Sequence, residues 1–262
     1  MFPVRKQLIT NMTQIVSPPN APNSELHNAI EQLYEAFAKY PSNPNMNGSP
    51  YFQEAITQWN RLVTAKPLRE LSVDDLQVYY FKAMTTWGGV NDFKHFLPRI
   101  FELLAELPVD FDEWVTLDKL NYGHYEKWPD NEKGAVHRFL LVFWQKLLVE
   151  ESDIVDAYFE GYFPAIANVY PDFGQMLEYW LMADNPQNGR RLADFICSNE
   201  KKVLKKQLLP GYEDMPYQGQ LFLQWLRSPA VLGKLKKTVP SASYPYLDMQ
   251  LFPVIQQLQQ PL

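Results

Sequence analysis

Apolar residues recur at intervals of three and four along most of the chain, and no segment alternates apolar and polar residues as a strand does. Residues three and four apart share one face of a helix, so this period is typical of amphipathic helices. Prolines, which interrupt helices, stand at the edges of most of these segments. The pattern predicts an all-α protein of about eleven or twelve short helices.

The first four predicted helices carry recognisable start signals, which lie at Ser24, Pro50, Ser72 and Asp92. The third signal is the strongest, because Ser72 with Asp75 forms a Ser-x-x-Asp capping box. We expect this third helix to continue to Trp87, where two glycines follow. The fourth helix contains Pro98, which must kink it or mark its first turn.

A long helix is predicted over about residues 130–150. Its residues 139–144 are apolar around the whole circumference, so we expect other helices to enclose it. Further helices are predicted over residues 113–120, 154–163, 173–183, 190–208 with a break near Ser198-Asn199, 217–226, 229–239 and 247–258.

Two architectures fit this series of short helices: stacked helical pairs of the HEAT or armadillo kind, and an irregular multi-helix bundle. A shift of 43 residues superimposes apolar positions of the fourth helix on those of the long helix. That shift is close to the period of roughly 40–47 residues in such repeats, but both architectures stay open. We expect one domain over residues 24–255, flanked by loosely ordered segments 1–23 and 256–262.

Composition excludes several classes of protein. With 46% hydrophobic and 21% charged residues, the chain suits a packed core and excludes a disordered scaffold. The single cysteine, Cys197, can form no intrachain disulfide, and no Cys/His spacing matches a zinc site. Neither a signal-peptide core nor an apolar run of membrane-spanning length is visible. We therefore expect a cytoplasmic protein without membrane segments, metal or cofactor.

Charge is distributed unevenly along the chain. Residues 1–184 contain 25 acidic and 14 basic residues, whereas residues 185–240 contain 4 acidic and 10 basic ones. An acidic body attracts a basic protein and disfavours nucleic acid. The basic segment, with Lys201, Lys202, Lys205 and Lys206, has the opposite preference locally.

Residues 79–104 read YYFKAMTTWGGVNDFKHFLPRIFELL. The Trp87-Gly88-Gly89 turn and the DFKHFLPR segment that begins at Asp92 resemble a segment of uncharacterised bacterial all-helical proteins. The resemblance covers about a tenth of the chain. It implies a bacterial source and a helical fold, and it implies no activity and no site residue.

Two acidic-aromatic clusters are candidates for partner contact, because carboxylates attract a basic surface and aromatic rings are enriched in interfaces. The first comprises Asp110, Asp112, Glu113 and Trp114, and the second comprises His124, Tyr125, Glu126 and Trp128. The alternative is structural in both cases, because carboxylates favour helix starts and aromatic rings fill cores.

A polar stripe on the fourth helix is the other candidate. It comprises Asp92, His95, Arg99 and Glu102. These residues share one helix face and suit either general acid–base chemistry around the histidine or a solvated face with ordinary ion pairs. No phosphate loop, nucleophile elbow or metal-binding motif accompanies them, so the sequence assigns no catalytic residue and no metal ligand.

The sequence thus favours a cytosolic bacterial helical protein that binds another, basic protein. A concrete form is an immunity or inhibitor protein that covers a basic toxin. The alternative is an enzyme of unknown class that uses the Asp92/His95/Arg99 stripe or the His124 loop. The sequence predicts no oligomeric state.

Overall fold

The computed structural model describes residues 22–183, 185–238 and 245–260. Twelve α-helices and no strand occur in these residues, which confirms the all-α prediction. The predicted N-terminal segment 1–23 lies almost wholly outside the described residues. The helices are α1 Pro22–Phe37, α2 Gln53–Thr64, α3 Val73–Lys82, α4 Val90–Leu104, α5 Glu113–Tyr122, α6 Asp130–Val149, α7 Asp153–Val169, α8 Phe173–Met182, α9 Pro186–Ser198, α10 Pro216–Leu226, α11 Pro229–Thr238 and α12 Pro245–Leu258.

The capping box predicted at the start of α3 is present. The Ser72 hydroxyl accepts from the Asp75 amide at 3.2 Å, and the Asp75 carboxylate accepts from the Ser72 amide at 2.9 Å. The predicted end of this helix is wrong, because α3 stops at Lys82 and residues 83–87 form a turn. The Trp87 side chain explains the turn: its indole N–H donates to Asn60 Oδ1 at 2.8 Å, which holds the ring against α2.

The end of α7 also differs from the prediction. Helix α7 continues through Pro164 to Val169, because the residues beyond the proline are buried and their packing offsets the lost backbone hydrogen bond. Helix α12 ends at Leu258, where the predicted helix 247–258 also ends. The Leu258 side chain is buried, so residues 256–258, which were also expected to begin a loosely ordered tail, belong to the helix. The break predicted near Ser198-Asn199 is present: α9 ends at Ser198 and a π-helical turn, Lys201–Lys205, follows.

Helix α6 is the enclosed helix that its apolar circumference predicts. Its Phe139, Leu140, Phe143 and Trp144 are fully buried, and α1, α7 and α8 all pack on it. The Trp144 indole N–H donates to the Met176 carbonyl of α8 at 3.0 Å.

The helices contact one another in two rows. In one row α2, α3, α5, α7 and α9 follow in that order, and in the other α4, α1, α6, α8 and α10 do so. Pairs such as α3 with α4 and α6 with α7 join the rows. This alternation is typical of stacked helical pairs. Helix α1 departs from it, because it lies between α4 and α6 although it comes first in the chain.

A buried charge cluster attaches α1 and the residues after it to α4 and α6. It comprises Lys39, Tyr40, Lys94 and Glu132. The Glu132 carboxylate is fully buried and lies 2.7 Å from each of the two lysine ammonium groups, and it accepts from the Tyr40 hydroxyl at 2.7 Å. Burial alone would raise the pKa of Glu132, but the hydrogen bonds from Lys39 and Lys94 outweigh it and hold the pKa below its usual value.

Basic side chains also bind the carboxyl ends of earlier helices. We call Lys119, Lys146, Arg191 and Lys234 the cationic caps. They donate to backbone carbonyls at the ends of α3, α4, α6 and α8, respectively, over 2.6–3.3 Å. The last four carbonyls of a helix lack hydrogen-bond partners within that helix and carry partial negative charge. Each cationic cap therefore bonds carbonyls that the earlier helix cannot pair by itself.

Candidate functional site

The first acidic-aromatic cluster lies where α5 begins. Asp112 is the N-cap of α5, because its Oδ1 accepts from the Val115 amide at 2.8 Å. Its other carboxylate oxygen accepts from the Tyr212 hydroxyl. Asp112 therefore has a structural role in starting α5, and it also joins α5 to the loop that precedes α10.

This junction forms a groove of about 220 Å³, which we call the acidic groove. Its walls come from the start of α5, the middle of α7 and the loop around Tyr212. Two glycines make room for its side chains. A Cβ atom at Gly161 would lie 1.7 Å from Glu113 Oε1, and one at Gly211 would lie 2.4 Å from the Trp114 ring. Any larger residue at either position would displace a groove wall.

Two carboxylates line the acidic groove without a cation of their own. Glu113 is partly buried, and no described lysine or arginine forms an ion pair with it. Burial raises the pKa of Glu113, and the charge of Asp112 adds to the rise. Glu160 of α7 accepts from the Asn199 side-chain amide at 2.8 Å, and again no described cation is within ion-pair distance.

Aromatic rings complete the groove. The Trp114 and Tyr212 rings lie 5.6 Å apart between centroids. Trp114 is almost wholly buried, whereas Tyr212 is 69% exposed. The groove thus combines carboxylates that lack counter-ions with accessible ring surface, which is an environment suited to a cationic side chain.

Asp110 lies just outside the groove and is exposed. Its carboxylate accepts from the Gln77 side-chain amide of α3 at 3.2 Å. It extends the negative charge of the groove towards α3.

The second predicted cluster lies at the opposite end of α5, about 15 Å of helix away. His124 and Glu126 are exposed there, with 3.5 Å between Nδ1 and Oε1. Tyr125 and Trp128 are buried, and they donate to the carbonyls of Val169 and Gly123, respectively. The structure therefore separates the two clusters, and it uses the rings of the second one in the core.

Within the polar stripe on α4, Arg99 and Glu102 form an ion pair at 2.7 Å, and the stripe also bonds the start of α4 and three other segments. Asp92 accepts from the Gly89 amide, His95 Nδ1 lies 2.9 Å from the Tyr40 carbonyl oxygen, and Arg99 donates to the Leu71 carbonyl. Glu102 accepts from the Tyr34 hydroxyl of α1 at 2.6 Å. His95 of this stripe lines a groove.

The basic segment surrounds the π-helical turn. Lys201, Lys205 and Lys206 are exposed, and Lys202 lies 3.8 Å from Asp214. Cys197 is partly buried on α9, and burial raises the pKa of its thiol to about 11, so the unreactive thiol form predominates at neutral pH.

In the part of the chain that the structure describes, no three histidine, cysteine, aspartate or glutamate side chains are placed to share a metal ion. Across the same residues, no helix combines the length and apolarity that a bilayer crossing requires.

Neither protein-family models nor curated proteins nor solved structures give a significant match to this chain. Its function must therefore be argued from the acidic groove itself.

Sequence reasoning found half of this groove. It singled out Asp112, Glu113 and Trp114, but it missed Glu160, Gly161 and Tyr212. Tyr212 is 100 residues from Asp112 in the sequence, and no local pattern links the two. The glycine within the predicted α7 helix was the available signal, because glycine is costly in a helix unless close packing requires it.

Proposed function

We propose that this protein binds another protein and that its acidic groove receives a basic side chain of that partner. The observation that carries the proposal is the Glu113 carboxylate, which is partly buried beside Asp112 with no described cation to neutralise it. Such a carboxylate is stabilised when a cation arrives, since the new ion pair replaces the water that burial removed.

The groove suits an arginine or lysine side chain for two further reasons. The exposed Tyr212 ring offers a face for a cation–π contact next to the carboxylates of Glu113 and Glu160. The negative balance of residues 1–184 would also speed the encounter with a basic protein. A cytosolic immunity or inhibitor protein of a bacterium, bound over a basic toxin, is the concrete form of this proposal.

The test is co-purification of the tagged full chain from its native host at low salt. Wild type should retain one basic protein in stoichiometric amount, and 0.5 M salt, which shortens the screening length to roughly 4 Å, should release it. The variant Glu113→Gln combined with Glu160→Gln should retain at least tenfold less of this protein, since each loses a charge-assisted bond.

Glu126→Gln is the matched control, because Glu126 is an exposed carboxylate at the far end of α5. It should retain the partner at the wild-type level. Equal retention by the groove variant and the control would contradict the proposal, as would the absence of any stoichiometric basic partner.

A further inference from the structure

A second groove lies between the end of α1, the turn Leu68–Glu70 and α4, on the other row of helices. It measures about 450 Å³, which is within the range of sites for small organic molecules. Tyr34, Phe37, Leu68 and Pro98 give it largely apolar walls, and His95 is among the lining residues. We call it the His95 groove.

The imidazole of His95 is held in one orientation and one tautomer. Its Nδ1 lies 2.9 Å from the Tyr40 carbonyl oxygen, and a carbonyl oxygen accepts hydrogen bonds only, so Nδ1 must carry the hydrogen. In the neutral ring Nε2 is then an unprotonated acceptor. The ring also packs edge-on against Phe96 at 4.7 Å. No described residue bonds Nε2, so the ring that lines the groove keeps one acceptor that a bound molecule can use.

The other polar groups of the groove are already engaged. The Tyr34 hydroxyl donates to Glu102 at 2.6 Å, and the Tyr40 hydroxyl donates to Glu132 at 2.7 Å. The Arg69 guanidinium donates twice to Glu31, at 2.8 and 2.7 Å, and stacks on the Tyr34 ring at 3.6 Å. Because Arg69 is neutralised in this way and Glu70 adds a carboxylate at the rim, the groove does not suit an anion.

We propose that the His95 groove binds a flat, uncharged aromatic molecule with one N–H or O–H donor. Its ring lies against the apolar walls, and its donor bonds His95 Nε2. This site is separate from the acidic groove, so it stands or falls independently of the proposed protein partner.

Two probes test the proposal: 5-fluoroindole, which has the N–H donor, and 5-fluoro-1-methylindole, in which a methyl group replaces that hydrogen. Both are titrated with the full chain and followed by fluorine NMR. Wild type should bind 5-fluoroindole about tenfold more tightly than the methylated probe, since a hydrogen bond to a fixed acceptor contributes about that factor. His95→Phe keeps a ring but removes the acceptor, so it should abolish this preference without weakening the methylated probe.

Ala38→Trp provides a second variant that leaves His95 intact. Ala38 is exposed and lines the groove, so an indole at this position fills the space without entering the core. It should abolish binding of both probes. This variant therefore tests whether the probes bind in the His95 groove even if His95→Phe fails to fold. His124→Phe, at an exposed histidine that is not among the lining residues of the groove, should change neither affinity. Equal affinity of the two probes for wild type, or no saturable binding of either, would overturn the proposal.

Discussion

The carboxylates of Glu132 and Glu113 are both removed from bulk water, but their surroundings differ in one respect. Glu132 lies between two lysines and accepts a tyrosine hydroxyl, and its pKa is lowered. Glu113 has no described counter-ion, and its pKa is raised. Burial of a charge therefore does not by itself indicate a binding site. A charge whose partners are present holds the fold together, whereas a charge without them is available to something outside the chain.

The largest expected effect is that of neutralising Glu132. We expect Glu132→Gln to lower the free energy of unfolding by about 3–5 kcal/mol, because Lys94 is then left buried without its counter-charge. Urea titration at pH 7 measures it. Glu126→Gln, at an exposed carboxylate, should change stability by less than about 0.5 kcal/mol. If Glu132→Gln lowers the free energy of unfolding no more than this control, Glu132 does not have the structural role assigned to it.

The stability difference between wild type and Glu132→Gln should also depend on pH. Because the pKa of Glu132 in the folded state is below its usual value of 4.5, its stabilisation is fully present above pH 4.5 and is lost as the pH falls through the lowered pKa. The stability gap between wild type and Glu132→Gln should therefore shrink on acidification below pH 4.5. A gap that is independent of pH would contradict the assigned cause.

The two glycines of the acidic groove should differ in their response to a methyl group. Gly211→Ala places a Cβ 2.4 Å from the almost wholly buried Trp114 ring, which is bulky and rigid, so we expect a loss of about 1–3 kcal/mol in thermal or urea unfolding. Gly161→Ala meets only the end of the Glu113 side chain, which can rotate away. Its clash is offset by a helix-propensity gain of up to ~1 kcal/mol, so its stability should stay near that of wild type. A larger loss at Gly161 than at Gly211 would show that the Glu113 side chain is rigidly held.

The smallest expected effect is that of Glu113→Gln. Since the folded state accommodates the ionised carboxylate poorly, this variant should be slightly more stable than wild type at pH 7, by well under about 1 kcal/mol because solvent screens a partly buried charge. Because the pKa of Glu113 is raised in the folded state, the gain should shrink as the pH falls through that raised pKa and should be absent below the usual value of 4.5, where Glu113 is protonated in both the folded and the unfolded state. Lower stability of the variant at pH 7 would mean that Glu113 is a structural carboxylate like Glu132.

Much of the fold follows from local signals in the sequence. The capping box at Ser72 and the apolar circumference of α6 act over a few residues, so a single sequence shows them, and the structure has both. The end of α3 could not be predicted in this way. Trp87 continues the helical period, but its indole bonds Asn60, 27 residues earlier, and that tertiary contact overrides the local pattern.

The candidate sites depend on tertiary contacts even more strongly. The residue types of the stripe on α4 are visible in the sequence, but the position of α1 between α4 and α6 is not. That position decides that Glu102 bonds Tyr34 and that His95 faces a groove. In the acidic groove, likewise, Glu113 was identifiable, whereas its neighbours from α7 and the Tyr212 loop were not.

The cationic caps have a consequence for how the chain is completed during synthesis. Lys234 of α11 bonds a carbonyl at the end of α8, and Arg191 of α9 bonds one at the end of α6, so each of these side chains is synthesised after the helix that it caps. In a nascent chain that has released only the earlier helix, only water can bond these carbonyls until the later helix emerges. A fragment truncated between α3 and α11 therefore contains a helix whose carboxyl end has lost its cationic cap. We expect such fragments to fold less stably than the full chain.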